Sequence, residues 1–401
     1  MRNKSIKFYI IGCIVVITAL FGTLELSTRC ISWITGQGVT LALHEYDPLD
    51  KAVTAVYQWH PFTGITFKPG IAFTGSHPYQ KGKAKIRVNK YGFLTDGQPL
   101  SYQKSSNEIR IATIGASTTA NINLPFEQNW PGYLGNLLQH ELPDKKVTII
   151  NAGVPGFDTA QSIGNLALRV MPFEPDIVII YHLYNDLKAV RNNDSFRPDY
   201  SHIHRKPFGF YQQPSLLVQC LNYSMMYVRL RNKLREIKKD QIKLEKRKKL
   251  LQQTGRLAEI PEQAVKTFEQ HIRCLVFIAN AGGANVILSS FATLHNPALD
   301  YSDKKMLPKL TRLQKKEMFS LVNFTPGLTL EAVFRGFKSY NRVLKEVAAL
   351  DKTGWVDNAS LIPHEDRYFV DRVHFSKEGA ALMANNFVPM ILEILAHQKK
   401  L

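Results

Sequence analysis

Three short runs rich in β-branched residues, Ile109-Arg-Ile-Ala-Thr-Ile114, Val147-Thr-Ile-Ile150 and Asp176-Ile-Val-Ile-Ile-Tyr181, are separated by helix-length segments from Trp130 to Glu141 and from Thr159 to Arg169. This alternation constrains the fold most. Strands that are apolar nearly throughout have no polar face to offer water, so both faces need cover, and intervening helices supply it. Val286-Ile-Leu-Ser-Ser-Phe291 reads as a fourth strand, and Ser376 to His397 as a closing amphipathic helix. The expected fold class is α/β, three-layered α/β/α around a parallel sheet.

The N-terminus carries a different signal. Arg2, Lys4 and Lys7 precede an uncharged run from Phe8 to Leu24, which Glu25 ends. As a helix that run spans roughly 25 Å, the short end of what crosses a bilayer. A cleaved secretory signal has the same basic start and apolar core. Phe21, Leu24 and Leu26 are too bulky to close the run as a small-x-small cleavage site, so an uncleaved anchor over 1–30 is expected. The basic flank would stay in the cytoplasm and the bulk of the chain outside it. Cys274 to Leu294 is also uncharged, but Gly282-Gly283 divides it before the β-rich 285–290, which predicts helix, stop and buried strand rather than a second span.

Residues 31–107 are rich in Gly, Pro and turn signals with short alternating runs such as Lys85-Ile-Arg-Val-Asn89, and predict a small β-containing lead-in. The main domain is expected over 108–401, interrupted by an insertion at about 188–262. Between Arg229 and Arg256 the insertion holds 12 basic residues against 3 acidic ones, in a chain whose net charge is +18. A solvated helical excursion explains such a segment; so does a basic lid or a surface for anionic head groups or an acidic polymer. No aromatic residues interleave the charges as single-stranded nucleic acid binding requires, so no nucleic acid partner is expected. Four cysteines in 401 residues cannot build a disulfide framework, and none forms a Cys-x-x-Cys pair. His202-Ile-His204 alternates as strand ligands would, but no third ligand is evident, so no metal is expected.

Ligands of doubly wound sheets bind outside the carboxyl ends of the strands. The residues just past each strand are therefore informative: Gly115-Ala-Ser117-Thr-Thr after the first, Asn151-Ala-Gly153-Val-Pro-Gly156 after the second, Tyr184-Asn185-Asp186 after the third, and Asp371-Arg-Val-His374 just before the last helix. A serine hydroxyl becomes a nucleophile only beside a base. Ser117 is the candidate nucleophile, His374 the base, and Asp371 the group that orients the imidazole and stabilises its protonated form. The Ser117 N–H, the Gly153 N–H and the Asn185 side-chain amide are candidate donors to an oxyanion.

These four blocks resemble those of the SGNH (GDSL-type) hydrolases over about residues 109 to 395, excluding the insertion. His60-Pro61 and Asn89-Lys-Tyr-Gly92-Phe93 also resemble the front of membrane-anchored bacterial members. The resemblance implies a flavodoxin-like fold and cleavage or transfer of acyl esters without a cofactor. Ala116 stands where the family's aspartate is usual, and Leu183 where a glycine is expected two residues before Asn185. The expected activity is that of an extracytoplasmic serine esterase acting on O-acyl, notably O-acetyl, esters of a glycan or lipid. Acyl transfer to an envelope polysaccharide through the same acyl-enzyme, and an idle anchored module that binds glycan or partner proteins, are the alternatives.

Overall fold

The computed structural model describes residues 2–35, 55–75, 84–190, 196–204, 216–221, 223–234, 237, 256–299, 301 and 307–398. The chain divides into two compact units, 1–55 with 209–251, and 56–208 with 252–401.

The first unit is built on helix α1 (Arg2–Ile34), 33 residues long. Its residues from Phe8 to Ile34 are long and apolar enough to cross a membrane, and its most apolar 18-residue window has no residue buried inside the protein. Helical residues at 216–221 and 225–234 belong to the same unit. The rest of the basic run expected at 229–256, between 238 and 255, lies outside the described residues.

The second unit contains a hairpin, β1 (Tyr57–His60) with β2 (Gly64–Phe67), and a large mixed sheet. The sheet takes β3 (Ala72–Gly75), β4 (Ala84–Val88), β5 (Leu94–Thr95), β6 (Glu108–Gly115), β7 (Lys146–Asn151), β8 (Ile177–Tyr181), β9 (Asn285–Ser289) and β10 (Gly354–Val356), in the order β10-β9-β8-β6-β7-β5-β4-β3. The strands from β10 to β7 are parallel, as the apolar runs require: β6 and β8 are buried at every residue. Register places Ile111 of β6 opposite both Ile149 of β7 and Ile177 of β8.

The lead-in does more than pack on this domain. Strands β5, β4 and β3 extend the sheet antiparallel beyond β7, with Leu94 opposite Asn151. The sheet therefore runs on into residues 72–95 of the lead-in. Alternation in β4, where Ala84, Ile86 and Val88 are buried and Lys85 and Arg87 exposed, marks an antiparallel strand with one wet face.

Two helical groups cover the sheet. Helix α3 (Trp130–Glu141) packs with the C-terminal helix α9 (Lys377–His397). Helix α6 (Glu262–Ala281) packs with α4 (Thr159–Asn165) and α8 (Leu330–Leu350). Helix α6 ends at Gly282 and Gly283 before β9, so the uncharged stretch from Cys274 is a helix–turn–strand step. Helix α9 is apolar because its inner face, from Ala380 to Leu395, is core.

Strand β6 has β7 on one side and β8 on the other, so the chain crosses over between them. Such a reversal opens a crevice at the carboxyl ends of the central strands.

Candidate active site

Ser117 opens the four-residue helix α2 (Ser117–Ala120) directly after β6. Position at the first helical turn leaves its N–H without an intrahelical acceptor. The turn is held from three sides. Asn121 adopts a left-handed conformation (φ 44°) and its N–H closes on the Ser117 carbonyl at 2.8 Å. The buried Trp130 donates its indole N–H to the Thr118 carbonyl at 3.0 Å. Asn151 Nδ2 donates to the Thr119 carbonyl at 3.3 Å.

The second contributor arrives just before α9. Asp371 Oδ1 accepts the backbone N–H groups of Val373 (2.9 Å) and His374 (2.8 Å), so the aspartate folds its own loop. Asp371 Oδ2 then lies 2.8 Å from His374 Nδ1, and His374 Nε2 lies 2.8 Å from Ser117 Oγ. Ser117, His374 and Asp371 thus form one continuous hydrogen-bonded chain, although Ser117 and His374 are 257 positions apart. The imidazole is 19% exposed and the carboxylate 5%, so water reaches the base but hardly its orienting acid.

The expected oxyanion donors are placed less uniformly. Asn185 follows β8, in helix α5 (Tyr184–Ala189), and lines a small cleft with Ala116, Ser117, Tyr181, Leu183 and Phe291. Its Nδ2 donates one hydrogen to the Phe157 carbonyl at 2.6 Å, which fixes the amide and leaves its second hydrogen. Gly153 also lies beside the serine turn, but its N–H already donates to Asn151 Oδ1 at 3.1 Å. What the glycine supplies is room: a Cβ there would collide with the Ala120 backbone nitrogen. Leu183, in the place of the glycine anticipated from the resemblance, is buried and forms part of the cavity wall.

Sequence reasoning missed the group behind the aspartate. Arg372 Nε donates to the Tyr184 hydroxyl at 2.7 Å, and Nη1 lies 3.2 Å from Glu317 Oε2 and 3.9 Å from Asp371 Oδ2. Its guanidinium also stands over the rings of Tyr184 and Phe324, 5.4 Å from each centroid. Burial alone would lower the Arg372 pKa, but Tyr184, Asp371 and Glu317 outweigh it and raise it, so the cation persists. Arg372 was visible inside the Asp-x-x-His spacing; Glu317 comes from α7 (Arg312–Phe324), with no pattern linking the two.

A second polar cluster lies beneath Asn185. Asp186 accepts from the Thr159 hydroxyl (2.5 Å) and backbone N–H (3.1 Å), and Thr159 Oγ1 meets His271 Nδ1 at 2.8 Å. Burial, reinforced by the charge of Asp158, raises the Asp186 pKa well above the usual carboxylate range. His182 pairs with Ser162 at 2.7 Å, and burial pushes it down to about 4, so it is neutral at physiological pH. His204 binds Asp158 Oδ2 at 2.6 Å, and His202 meets the Ala189 carbonyl at 2.6 Å. Those two histidines are committed to different partners. Among the described residues no group of three or more His, Cys, Asp or Glu side chains is arranged to hold a metal ion.

The model of the GDSL-like Lipase/Acylhydrolase family matches residues 113–382. No curated protein matches the chain. Solved structures with a similar course include the acetylxylan esterase Axe2 from Geobacillus stearothermophilus, at 15% identity and TM-score 0.40, covering 71% of this chain and 94% of that one. They also include a GDSL-like lipase from Bacteroides thetaiotaomicron, at 13% identity and TM-score 0.38, covering 73% and 91%.

Proposed function

This chain belongs to the GDSL-like lipase/acylhydrolase family, as an ester hydrolase of SGNH type, and on that premise we propose that Ser117, His374 and Asp371 are its catalytic triad, working outside the cytoplasm on a short O-acyl ester. The observation that carries the proposal is the unbroken chain of 2.8 Å contacts from Ser117 Oγ through the imidazole to Asp371.

Those atoms dictate the steps. Ser117 Oγ attacks the ester carbonyl carbon while its proton passes to His374 Nε2. Asp371, already hydrogen-bonded to Nδ1, stabilises the imidazolium and stays ionised. The carbonyl oxygen takes the negative charge, facing the Ser117 N–H and the remaining amide hydrogen of Asn185. The Gly153 N–H joins them only by leaving Asn151 Oδ1. Collapse of the tetrahedral intermediate breaks the ester C–O bond, and His374 returns its proton to the departing alcohol oxygen. Water then attacks the acyl-enzyme with His374 as base, releasing the acid and restoring Ser117.

The acyl group is proposed to be small. The cleft beside Ser117 has a volume of about 10 Å³, against the roughly 300–1,000 Å³ of pockets that hold drug-sized ligands. A cleft that small favours an acetyl group, on a glycan hydroxyl or a lipid. Hydrolysis is proposed ahead of transfer because the chain belongs to a family of acylhydrolases. An idle binding module has no chemical use for a complete, hydrogen-bonded triad.

Helix α1 is proposed as the membrane anchor, with Arg2, Lys4 and Lys7 on the cytoplasmic side and the enzyme facing outward. The test of the reaction is turnover of a model acetyl ester by the purified full-length chain and by Ser117→Ala. The wild type should hydrolyse it, and the variant should fall to background with an unchanged circular dichroism spectrum. Retained turnover in the variant would refute the assignment.

A further inference from the structure

Past its apolar run, α1 carries Glu25, Arg29 and Ser32, and all three are tied to the basic insertion. The Glu25 carboxylate accepts the Ser224 hydroxyl (2.8 Å) and the N–H groups of Met225 (2.9 Å) and Met226 (3.1 Å). It thereby satisfies the orphan donors at the start of helical residues 225–234. Arg29 bridges the junction, donating to Glu25 Oε1 and to the Tyr223 carbonyl, each at 2.8 Å. One turn further on, Arg229 donates to Ser32 Oγ at 2.6 Å, and Ser32 donates to Met225 Sδ at 3.1 Å. The insertion is therefore fastened along two turns of α1, from Glu25 to Ser32. The preceding run, Phe8–Leu24, covers roughly 25 Å and Glu25–Ser32 about another 12 Å, which together match a hydrocarbon core of about 30 Å and one head-group layer of about 5–7 Å.

The outer surface of the fastened helix is not polar. Leu230, Leu234 and Ile237 are 56%, 57% and 48% exposed. Leu230 and Leu234, four residues apart, share one face of the helix as a stripe, and Ile237 is exposed beyond it. Arg231 and Lys233 fall on opposite sides of that stripe, and Tyr223, 57% exposed, stands just before the helix. Isolated exposed leucines are ordinary, but an apolar stripe flanked by cations on a helix tied to a membrane span has the composition of an interfacial helix.

We propose that residues 223–234 lie in the outer head-group layer, with the Leu230–Leu234 stripe dipping toward the acyl chains and Arg231 and Lys233 meeting anionic lipid phosphates. The proposal rests on the reading of α1 as an anchor. Its occupant is an anionic lipid surface, matched by charge and by continuity with the span.

The experiment uses the full-length chain in vesicles of phosphatidylcholine with phosphatidylglycerol. All four cysteines are unbonded, so serine can replace them without loss of a disulfide. One preparation carries a polarity-sensitive fluorophore on Leu234→Cys, and another carries it on Cys13 alone. The label at 234 should shift to the blue and be quenched by lipids spin-labelled near the head group. Both effects should weaken in phosphatidylcholine alone, at high salt, and in Arg231→Glu/Lys233→Glu. The label at 13 should be quenched by deep spin labels. Deep quenching at 13 with a water-exposed label at 234 overturns the interfacial helix and leaves the anchor standing. Absence of deep quenching at 13 overturns both. Shielding at 234 that is the same in detergent as in anionic vesicles identifies a protein contact, such as a second copy, and also overturns the proposal.

Discussion

The indole N–H of Trp130 donates to the Thr118 carbonyl at 3.0 Å, so the first residue of α3 holds the turn that presents the Ser117 hydroxyl. Both groups are buried, and neither has water as an alternative partner. Trp130→Phe keeps an aromatic ring against Phe387 but strands the carbonyl. Loss of about 1–3 kcal/mol of stability is expected from an unmet buried acceptor, together with a lowered kcat because the serine turn loses a restraint. Urea unfolding and ester turnover check the two effects.

Asp371→Asn tests orientation apart from nucleophilicity. The asparagine keeps a carbonyl oxygen for the Val373 and His374 N–H groups, so the loop should fold. Its amide cannot stabilise an imidazolium, and kcat should drop by about 10³–10⁴-fold. Steady-state kinetics with a model acetyl ester gives the answer; a loss under tenfold would mean that the aspartate is structural only.

Asn185→Ala removes the amide that the Phe157 carbonyl fixes beside Ser117. A drop in kcat of about 10²–10³-fold is expected if that amide faces the oxyanion. KM should change much less, since the charge it meets exists only in the transition state.

Arg372 and Glu317 form a buried pair at 3.2 Å, with the arginine 17% and the glutamate 0% exposed. Removal of one partner strands the other, so Arg372→Ala should cost about 3–5 kcal/mol. Glu317→Gln with Arg372→Met should cost less than Arg372→Ala alone, because the carboxylate at 317 is no longer left buried and unpaired. Thermal denaturation of the single and double variants measures the coupling.

At the base of β6, Glu108 shows how acid should unfold the domain. Burial would raise its pKa, but hydrogen bonds from Arg110 (2.9 Å) and Thr148 (2.5 Å), with the charges of Arg110 and Lys146, overcome this and hold it at about 2. A carboxylate depressed in the folded state stabilises above its ordinary value of 4.5, and that contribution is lost as pH falls toward 2. Wild-type stability should decline by about 3 kcal/mol more than that of Glu108→Gln between pH 5 and pH 2. Denaturant titrations across that range supply the comparison.

Periodicity carried most of the fold. The runs at 109, 147, 176 and 286 became β6, β7, β8 and β9 because strands covered on both faces, fully in β6 and β8 and mostly in β9, leave a distinctive stretch of β-branched residues; β7, only partly buried, shares that composition. Strand β10 was not legible: Gly354-Trp-Val356 is too short to show alternation, and its pairing with β9 is decided by helices that arrive from elsewhere. The antiparallel extension through β5 was hidden for the same reason, since Leu94–Thr95 has only two residues.

In the site, residues that end strands or open helices were readable, because their neighbours mark the ends. Ser117, Asn185, Asp371 and His374 are of that kind. The Gly153 N–H reads as open in the sequence because the side chain that takes it, Asn151, lies two positions away at the strand's end. Glu317 and Trp130 act through contacts across the fold, and no local pattern announces such partners.

Labelling by a fluorophosphonate probe tests the activated serine most directly, because the probe reacts quickly only with a hydroxyl that a base deprotonates. Peptide mapping of the wild-type chain should find a single adduct on Ser117, and His374→Ala should abolish it while Asn185→Ala keeps it. An adduct elsewhere, or equal labelling of Ser117 without the imidazole at 374, would contradict the triad.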